Sequence, residues 1–262
     1  MKVLIIGGAG MIGQKLAQRL AKDSHLGGKP IDSLVLSDVV EARCRDCPFP
    51  MVAKVGDLSQ PGHAEELVAD RPDVIFHLAA IVSGEAEQEF DKGYRVNVDG
   101  TRALFEAVRK AGHKPRLVFT SSIAVFGAPF PEVIGDEFFT TPLTSYGTQK
   151  AIGELLLADY TRKGFFDGIG IRLPTICVRP GKPNKAASGF FSNIIREPLA
   201  GEEAVLPVSE DVRHWHASPR AAVGFLLHAA TIDGAAVGPR RNLTMPGVSV
   251  TVAEQIEALR KV

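Results

Sequence analysis

Cysteine is scarce in this chain, and neither sign of charge is in excess. The 262 residues include three cysteines, and a small, odd number argues against a disulfide framework. Thirty basic and thirty acidic residues give a formal charge of zero, whereas nucleic-acid-binding proteins usually carry a basic excess. No apolar run approaches the length that crosses a bilayer. We therefore expect a cytoplasmic protein that binds neither nucleic acid nor membrane.

Two of the cysteines, Cys44 and Cys47, form a CxxC pair for which a metal site must be considered. A structural zinc ion takes four ligands, and the sequence contains no second pair. His63 and His77 could complete the set, but their spacing fits no metal template. We expect two loop cysteines and no metal.

Short apolar runs alternate with amphipathic segments along the chain. Nearly continuous apolar strands are typical of a parallel sheet covered on both faces. Right-handed crossovers then give a doubly wound α/β sheet, the Rossmann fold. The predicted strands are 2–6, 33–37, 52–55, 73–78, 116–120 and 168–173, and the predicted helices are 11–22, 64–69, 97–111 and 145–163.

The composition changes after residue 174. Residues 179–187 are rich in proline, glycine, lysine and asparagine, which predicts a loop. The pattern beyond it predicts two domains, a sheet domain over 1–174 and a smaller C-terminal substrate lobe over 175–262. The lobe's predicted elements are helices over 190–196 and 220–231, strands over 204–208 and 241–245, and a last helix from Val252.

A glycine-rich turn joins the first predicted strand to the first predicted helix. It contains Gly7, Gly10 and Gly13, and Gly8 completes the pattern GxGxxG. Between a strand and a helix this pattern indicates a dinucleotide site, because glycine allows the backbone to turn sharply and approach a pyrophosphate. The positive end of the helix then favours the phosphate charge.

Asp38, at the end of the second predicted strand, indicates which dinucleotide is bound. An acidic residue there can bond both ribose hydroxyls of the adenosine and would repel a 2′-phosphate, which predicts NAD. Arg43 and Arg45 could instead recruit that phosphate, and Asp38 could be a helix cap or a solvated turn residue. We favour NAD because Asp38 stands at the strand end itself.

Tyr146 and Lys150 lie four residues apart at the start of the helix predicted over 145–163, so they share one face. A tyrosine pKa of about 10 makes a poor base, but a lysine cation and a positive nicotinamide ring would favour the phenolate. Tyr146 could then accept an alcohol proton while hydride leaves for the cofactor. Ser122, after the fifth strand, could hold the substrate oxygen, with Ser121 as the competing choice.

Six motifs occur in the order typical of extended short-chain dehydrogenases/reductases, a family that includes nucleotide-sugar epimerases, and the chain resembles it over most of its length. They are GGAGMIG (7–13), GDL (56–58), HLAA (77–80), NVDGT (97–101), TSSIAVFG (120–127) and YGTQK (146–150). The resemblance implies Ser122, Tyr146 and Lys150 as catalytic residues. The full set of predicted NAD contacts is Gly7, Gly10, Met11, Ile12, Gly13, Asp38, Asp57, Leu58, Leu78, Ala79, Ala80, Asn97, Tyr146, Lys150, Pro174 and Thr175.

Within this family the stretches 76–93, 145–156, 172–188 and 194–208 resemble enzymes that oxidise the C2 hydroxyl of a four-carbon sugar acid, D-erythronate, with NAD. A small anionic polyol needs a cation for its carboxylate. Phosphates of a nucleotide sugar would also need cations, so the charges do not decide the substrate. The candidate polar residues are Arg179, Lys182, Asn184, Arg196 and Arg213, and the predicted substrate contacts are Ser83, Ser122, Tyr146, Thr175, Arg179 and Arg213.

The sequence is also compatible with two other functions. One is a nucleotide-sugar 4-epimerase that keeps NAD tightly bound. The other is a non-catalytic NAD sensor, against which the complete serine, tyrosine and lysine set argues. The resemblance also implies a homodimer through the helices 97–111 and 145–163, and it implies a C-terminally truncated lobe, because extended members continue well beyond the equivalent of Val262.

Overall fold

The structure, a computed structural model, describes residues 1–135, 138–181 and 185–261, so Lys182 and Asn184 lie outside the described residues. The strands are β1 (Lys2–Ile6), β2 (His25–Leu26), β3 (Lys29–Pro30), β4 (Ser33–Asp38), β5 (Met51–Val55), β6 (Val74–His77), β7 (Arg116–Ser122), β8 (Asp167–Leu173), β9 (Thr175–Ile176), β10 (Arg213–Ala217), β11 (Asn242–Thr244) and β12 (Val248–Thr251). The helices are α1 (Met11–Asp23), α2 (His63–Val68), α3 (Ser83–Gln88), α4 (Phe90–Gly93), α5 (Gly100–Ala111), α6 (Ser145–Arg162), α7 (Phe190–Leu199), α8 (Pro219–Thr231), α9 (Gly234–Val237) and α10 (Val252–Leu259).

Seven of these strands form a parallel sheet in the order β11-β8-β7-β6-β1-β4-β5. The chain builds outward from β1 in both directions, which leaves a crevice beyond the carboxyl ends of β1, β4 and β6. An open α/β sheet binds its ligand at such a point. The predicted doubly wound fold is confirmed.

Both faces of the sheet are covered, which explains why its strands are apolar throughout. Val3 and Ile5 of β1 face a layer formed by α1 and α8, and Leu4 and Ile6 face the layer of α2, α5 and α6. All four side chains are at most 2% exposed. Burial of each such side chain stabilises the fold by about 1.5–3 kcal/mol.

The part of the chain after residue 174 contributes to two structures. Strand β11 joins the large sheet beside β8, and α8 packs on α1. A second sheet, in the order β12-β10-β9, stands beside α7 and α10, whose contact is built on Phe191, Ile194 and Val252. The division into domains 1–174 and 175–262 stays a proposal. Within the second range, α8 and β11 pack on or pair with the larger sheet.

The strand predicted over 204–208 is wrong, because these residues have no regular secondary structure. Their alternating pattern comes from Ala204, Leu206 and Val208, which pack on the α7–α10 contact, while Pro207 cannot donate to a strand pair. Strand β10 was missed because RHWHA has no apolar run. It exists because β9 and β12 pair with it on either side.

The helix predicted over 97–111 begins too late in the sequence, since helical backbone runs from Phe90 through a π-helical segment (Tyr94–Asp99) into α5. Gly93 lies within this helical stretch, where a side chain would place its Cβ 2.6 Å from Nε2 of Gln149 on α6. Close packing of two helices, rather than a turn, accounts for this glycine.

Candidate active site

The glycine loop after β1 holds α1 close to the sheet edge. Gly7 has a φ of +90°, and a Cβ there would lie 2.7 Å from the amide nitrogen of Ala79. A Cβ on Gly13 would lie 2.2 Å from the carbonyl oxygen of Gly7. Helix α1 has Gly10 at its N-cap, with no side-chain cap and no acid in its first turn, where Met11 and Ile12 lie. The loop and helix end thus fit the pyrophosphate of a dinucleotide.

Asp38 ties the end of β4 to the glycine loop. Its carboxylate accepts hydrogen bonds from the backbone amides of Ala9 (2.9 Å) and Val39 (2.7 Å). Each carboxylate oxygen keeps lone-pair capacity for a ribose hydroxyl. Arg43, the competing partner for a 2′-phosphate, is exposed and paired with Glu41 at 2.8 Å. This arrangement fits NAD.

The remaining predicted dinucleotide contacts surround the same crevice. The amides of Leu78 and Ala79 donate to the carbonyl of Ile6 at 2.8 and 3.0 Å, which sets the 78–80 segment beside the glycine loop. Although burial would raise it, hydrogen bonds from Ser59 and Arg95 hold the pKa of Asp57 below its usual range. The other predicted contacts there are Leu58, which is buried, and Ala80.

Asn97 joins this edge to α6. Its side-chain amide donates to Ile81 and to Gln149 Oε1, at 3.2 and 2.8 Å, and its oxygen accepts from the Ile81 amide at 2.9 Å. The side chain is 3% exposed. Asn97 therefore holds the segment that follows β6, and its direct contact with a cofactor stays a prediction.

Helix α6 brings the predicted catalytic side chains to the end of β7. It begins after the Thr144 cap, whose hydroxyl accepts from the Gly147 amide at 3.1 Å. Lys150 Nζ donates to the Thr120 carbonyl at 2.7 Å and lies 5.7 Å from the centre of the Tyr146 ring. The Ser122 hydroxyl lies close enough to the Tyr146 side chain to lower its pKa. The three predicted catalytic residues are thus neighbours.

Burial controls the ionisation of this group. It raises the pKa of Tyr146 to about 12, while the Arg179 cation and the Ser122 hydrogen bond act in the opposite direction. Burial lowers the pKa of Lys150 to about 8, while Glu154 raises it. Tyr146 is therefore a phenol at neutral pH in this state, and further positive charge beside it would favour the phenolate.

The two candidate serines have different surroundings. Ser121 is 2% exposed, and its hydroxyl donates to Glu154 Oε1 at 2.5 Å. Ser122 is partly exposed, accepts from the Ala124 amide at 3.1 Å and reaches Tyr146. The geometry favours Ser122 as the serine that meets substrate.

Arg179 lies on the loop after β9, close enough for its cation to act on Tyr146. Its guanidinium donates to the Ile176 carbonyl at 3.0 Å and to Ser188 Oγ at 2.9 Å. Its own carbonyl accepts from Arg196 at 2.7 Å, so Arg196 supports the loop from behind.

The other predicted substrate residues divide into two groups. Ser83, the first residue of α3, accepts from the Ala187 amide at 3.0 Å, which brings the start of α3 against the segment that follows Arg179. Thr175, which follows the buried Pro174, bonds His214 at 2.8 Å. Arg213 is exposed on β10, where it pairs with Glu254 at 3.4 Å. Among the described residues, no hydrogen bond or ion pair links Arg213 to Tyr146.

Glu154 and Arg172 are two buried charged residues near the site that the sequence analysis missed. The available signal was an acidic residue four positions after Lys150 on an otherwise apolar helical stripe. Cys44, Cys47 and Cys177 are free thiols. Among the described residues no helix has the length and apolarity to cross a membrane.

The fold and the site together define a nucleotide-dependent enzyme of the extended short-chain type. The defining features are a parallel sheet, a glycine loop after β1, an acidic residue at the end of β4, and a serine, tyrosine and lysine group on β7 and α6. The model of the NAD dependent epimerase/dehydratase family matches residues 3–235, and the chain belongs to that family. The predicted family is confirmed, and NAD is the cofactor on which the family depends.

Two curated relatives and one solved structure show how similar known proteins are to this chain over its whole length. A D-erythronate dehydrogenase from Cupriavidus necator is 51% identical over all of this chain and 82% of its own length. A D-erythronate dehydrogenase from Haemophilus influenzae is 47% identical, also over all of this chain and 82% of its own length. A crystal structure of a nucleoside-diphosphate-sugar epimerase from Agrobacterium tumefaciens is 70% identical with a TM-score of 0.96, covering all of this chain and 78% of that one.

Proposed function

We propose that this protein oxidises the C2 hydroxyl of D-erythronate to 2-dehydro-D-erythronate with NAD. The observation that carries the proposal is the arrangement of Ser122, Tyr146 and Lys150 beside a dinucleotide crevice, with the Arg179 cation close to Tyr146. Two relatives at 51% and 47% identity are D-erythronate dehydrogenases.

The residues at the carboxyl edge of the sheet are suited to hold NAD. The glycine loop and the first turn of α1 would receive the pyrophosphate, and Asp38 the adenosine ribose. Asp57 and Leu58 would border the adenine, and residues 78–80 with Pro174 and Thr175 would line the nicotinamide half. When bound, NAD supplies the ring that accepts a hydride from the substrate carbon.

Proton removal is the task of α6 and the end of β7. The Ser122 hydroxyl holds the C2 oxygen of the substrate, and the Tyr146 oxygen accepts the proton of that hydroxyl. Lys150 stabilises the phenolate by its charge, held in place by the Thr120 carbonyl at 2.7 Å. Arg179 adds a second positive charge on Tyr146.

Arg179 also explains why a 2-hydroxy acid suits the site. The carboxylate of such a substrate is bonded directly to the carbon that is oxidised, so its cation must lie next to the catalytic base. Arg179 meets this requirement, and its donors are already oriented by Ile176 and Ser188. A guanidinium binds a carboxylate through two parallel hydrogen bonds in favourable cases.

A nucleotide-sugar 4-epimerase is the second candidate, because a structure 70% identical to this chain is described as a nucleoside-diphosphate-sugar epimerase. The close contact between the start of α3 and residues 185–187 is our reason for preferring the smaller substrate. Ser83 bonds the Ala187 amide, and a Cβ on Gly84 would lie 2.3 Å from the Lys185 carbonyl oxygen. A nucleotide sugar needs more room than a four-carbon acid.

The first test is NADH formation by the purified protein with added NAD and a panel of D-erythronate, L-threonate and UDP-galactose. We expect NADH with D-erythronate and a requirement for free NAD. Conversion of UDP-galactose to UDP-glucose by protein that retains NAD through gel filtration, without net NADH, would establish the epimerase instead.

We also propose a homodimer in which α5 and α6 of two chains pack together. Leu155 on α6 is 72% exposed, and burying such a side chain is favourable. Light scattering should give twice the chain mass, and Leu155→Glu should give a monomer. Leu199→Glu, at another exposed leucine, on α7 (62%), is the matched control. A monomeric wild-type protein would contradict the proposal.

We also propose that the protein works in the cytoplasm, where cysteines stay reduced, because its described cysteines are free thiols.

A further inference from the structure

Three residues spaced by four along α6 face β7. Tyr146 lies beside Ser122, which lowers its pKa. Lys150 Nζ donates to the Thr120 carbonyl at 2.7 Å, and Glu154 Oε1 accepts from Ser121 at 2.5 Å. Side chains at this spacing lie one above another on a single helical face. The first two belong to the proposed catalytic group, and the third extends that group by one turn into the protein.

Glu154 is also the acceptor of a buried arginine. Arg172 on β8 donates to its two carboxylate oxygens from Nε at 2.9 Å and from a terminal nitrogen at 2.7 Å. The two side chains are 4% and 11% exposed. Arg172 stands opposite Ser121 in the sheet, and its guanidinium lies 4.9 Å from the Phe126 ring centre. One carboxylate thus ties α6 to two adjacent strands.

Stability alone is a weak reason for such a pair. Taking two charges out of water is costly, and replacing a buried ion pair by apolar residues of similar volume is often neutral or stabilising. The position of the pair, one helical turn from Lys150, points to a use in the chemistry.

We propose that Glu154 is a positioning residue of the active site, whose carboxylate, held by Ser121 and Arg172, sets the catalytic face of α6 against β7 and keeps the Lys150 amine cationic. The inference rests on the proposed roles of Tyr146 and Lys150.

Among the described groups that surround Lys150, Glu154 is the one whose negative charge favours the cationic amine. Its own helix presents Tyr146 and Glu154, and β7 presents the Thr120 carbonyl and the Phe119 ring, 4.9 Å from Nζ. From β6 comes His77, whose pKa burial and the Lys150 charge lower to about 3, so it is neutral. Among the described residues, Glu154 is the carboxylate that raises the pKa of Lys150.

The direct test is the titration of Lys150 in protein carrying lysine labelled with ¹³C at the ε carbon. In the wild type one resonance should titrate near pH 8, far below ordinary lysines, and should vanish in Lys150→Met. In Glu154→Gln we expect its midpoint to fall by about half a unit to one unit, because a carboxylate favours the charged amine. This readout needs neither substrate nor turnover, so it stands even if D-erythronate is not oxidised.

Two further variants separate the effect of the Glu154 charge on Lys150 from a general loss of stability. Asp167→Asn removes a carboxylate that pairs with Arg116 and Arg241 at the far end of β8, and it should lower thermal stability without moving the Lys150 midpoint. Glu154→Gln/Arg172→Gln removes both members of the ion pair, so no guanidinium is left buried without its carboxylate. It should show a lowered midpoint even where Glu154→Gln alone fails to fold, by a smaller amount because the Arg172 cation is removed as well.

Activity gives the second readout. In Glu154→Gln, kcat should fall about tenfold with KM for NAD unchanged within about a factor of two, as for coupled residues of one network. An unmoved Lys150 midpoint in both Glu154 variants, with activity lost only in proportion to unfolding, would overturn the proposal.

Discussion

Tyr146→Phe should lower kcat/KM for D-erythronate about a thousandfold, since a positioned base contributes on the order of 10² to 10⁴ in rate. The variant loses the phenolic oxygen beside Ser122 that accepts the C2 proton. Its ring keeps its volume, so affinity for NAD, measured by calorimetry, should change little.

The matched control lies on the same helix. Tyr160→Phe also removes a hydroxyl from α6, but that hydroxyl bonds Glu106 away from the site. It should keep near-wild-type activity. Equal losses in both variants would mean that Tyr146 acts only through the stability of α6.

The pH dependence of the wild type tests the same assignment. Oxidation needs the phenolate, and burial raises the pKa of Tyr146 to about 12 in the structure without NAD. Positive charge from the bound cofactor lowers that pKa, so kcat/KM should rise with pH from neutrality until Lys150, whose pKa burial lowers to about 8, loses its charge. Tyr146→Phe should remove the rise.

Arg179→Gln should raise KM for D-erythronate about a hundredfold, because losing one partner of a buried charge pair costs about 2–5 kcal/mol. The loss should appear mainly in KM if the carboxylate is bound equally in the ground and transition states. A fall in kcat is also expected, since the Arg179 cation lowers the pKa of Tyr146.

Arg213→Gln is the informative comparison, because the sequence offered both arginines for the carboxylate. Arg213 is exposed and paired with Glu254, whereas Arg179 is partly buried beside Tyr146. A larger rise in KM for the Arg213 variant would reassign the carboxylate to β10. Steady-state kinetics of the two variants under one set of conditions decides between them.

The local features of this fold could be predicted from the sequence. Gly7, Gly10 and Gly13 between a strand and a helix, Asp38 at a strand end, and Tyr146 with Lys150 on one helical face all depend on spacings of a few residues. The periodicity of strands and helices reports such short distances directly. The same logic failed at residues 204–208, because packing on a helix pair produces the alternation of a strand without a strand partner.

The doubly wound sheet, its glycine loop and the catalytic candidates could all be predicted from residue types and their spacing. Contacts in the folded chain were needed to show that Ser121 bonds Glu154 while Ser122 lies beside Tyr146. The same holds for Arg179, which lies closer to that tyrosine than Arg213 does, and for Asn97, which holds the segment after β6. The physical reason is that these choices depend on contacts between residues far apart in the chain. Burial and hydrogen-bond geometry assign their roles, and spacing along the sequence carries no record of either.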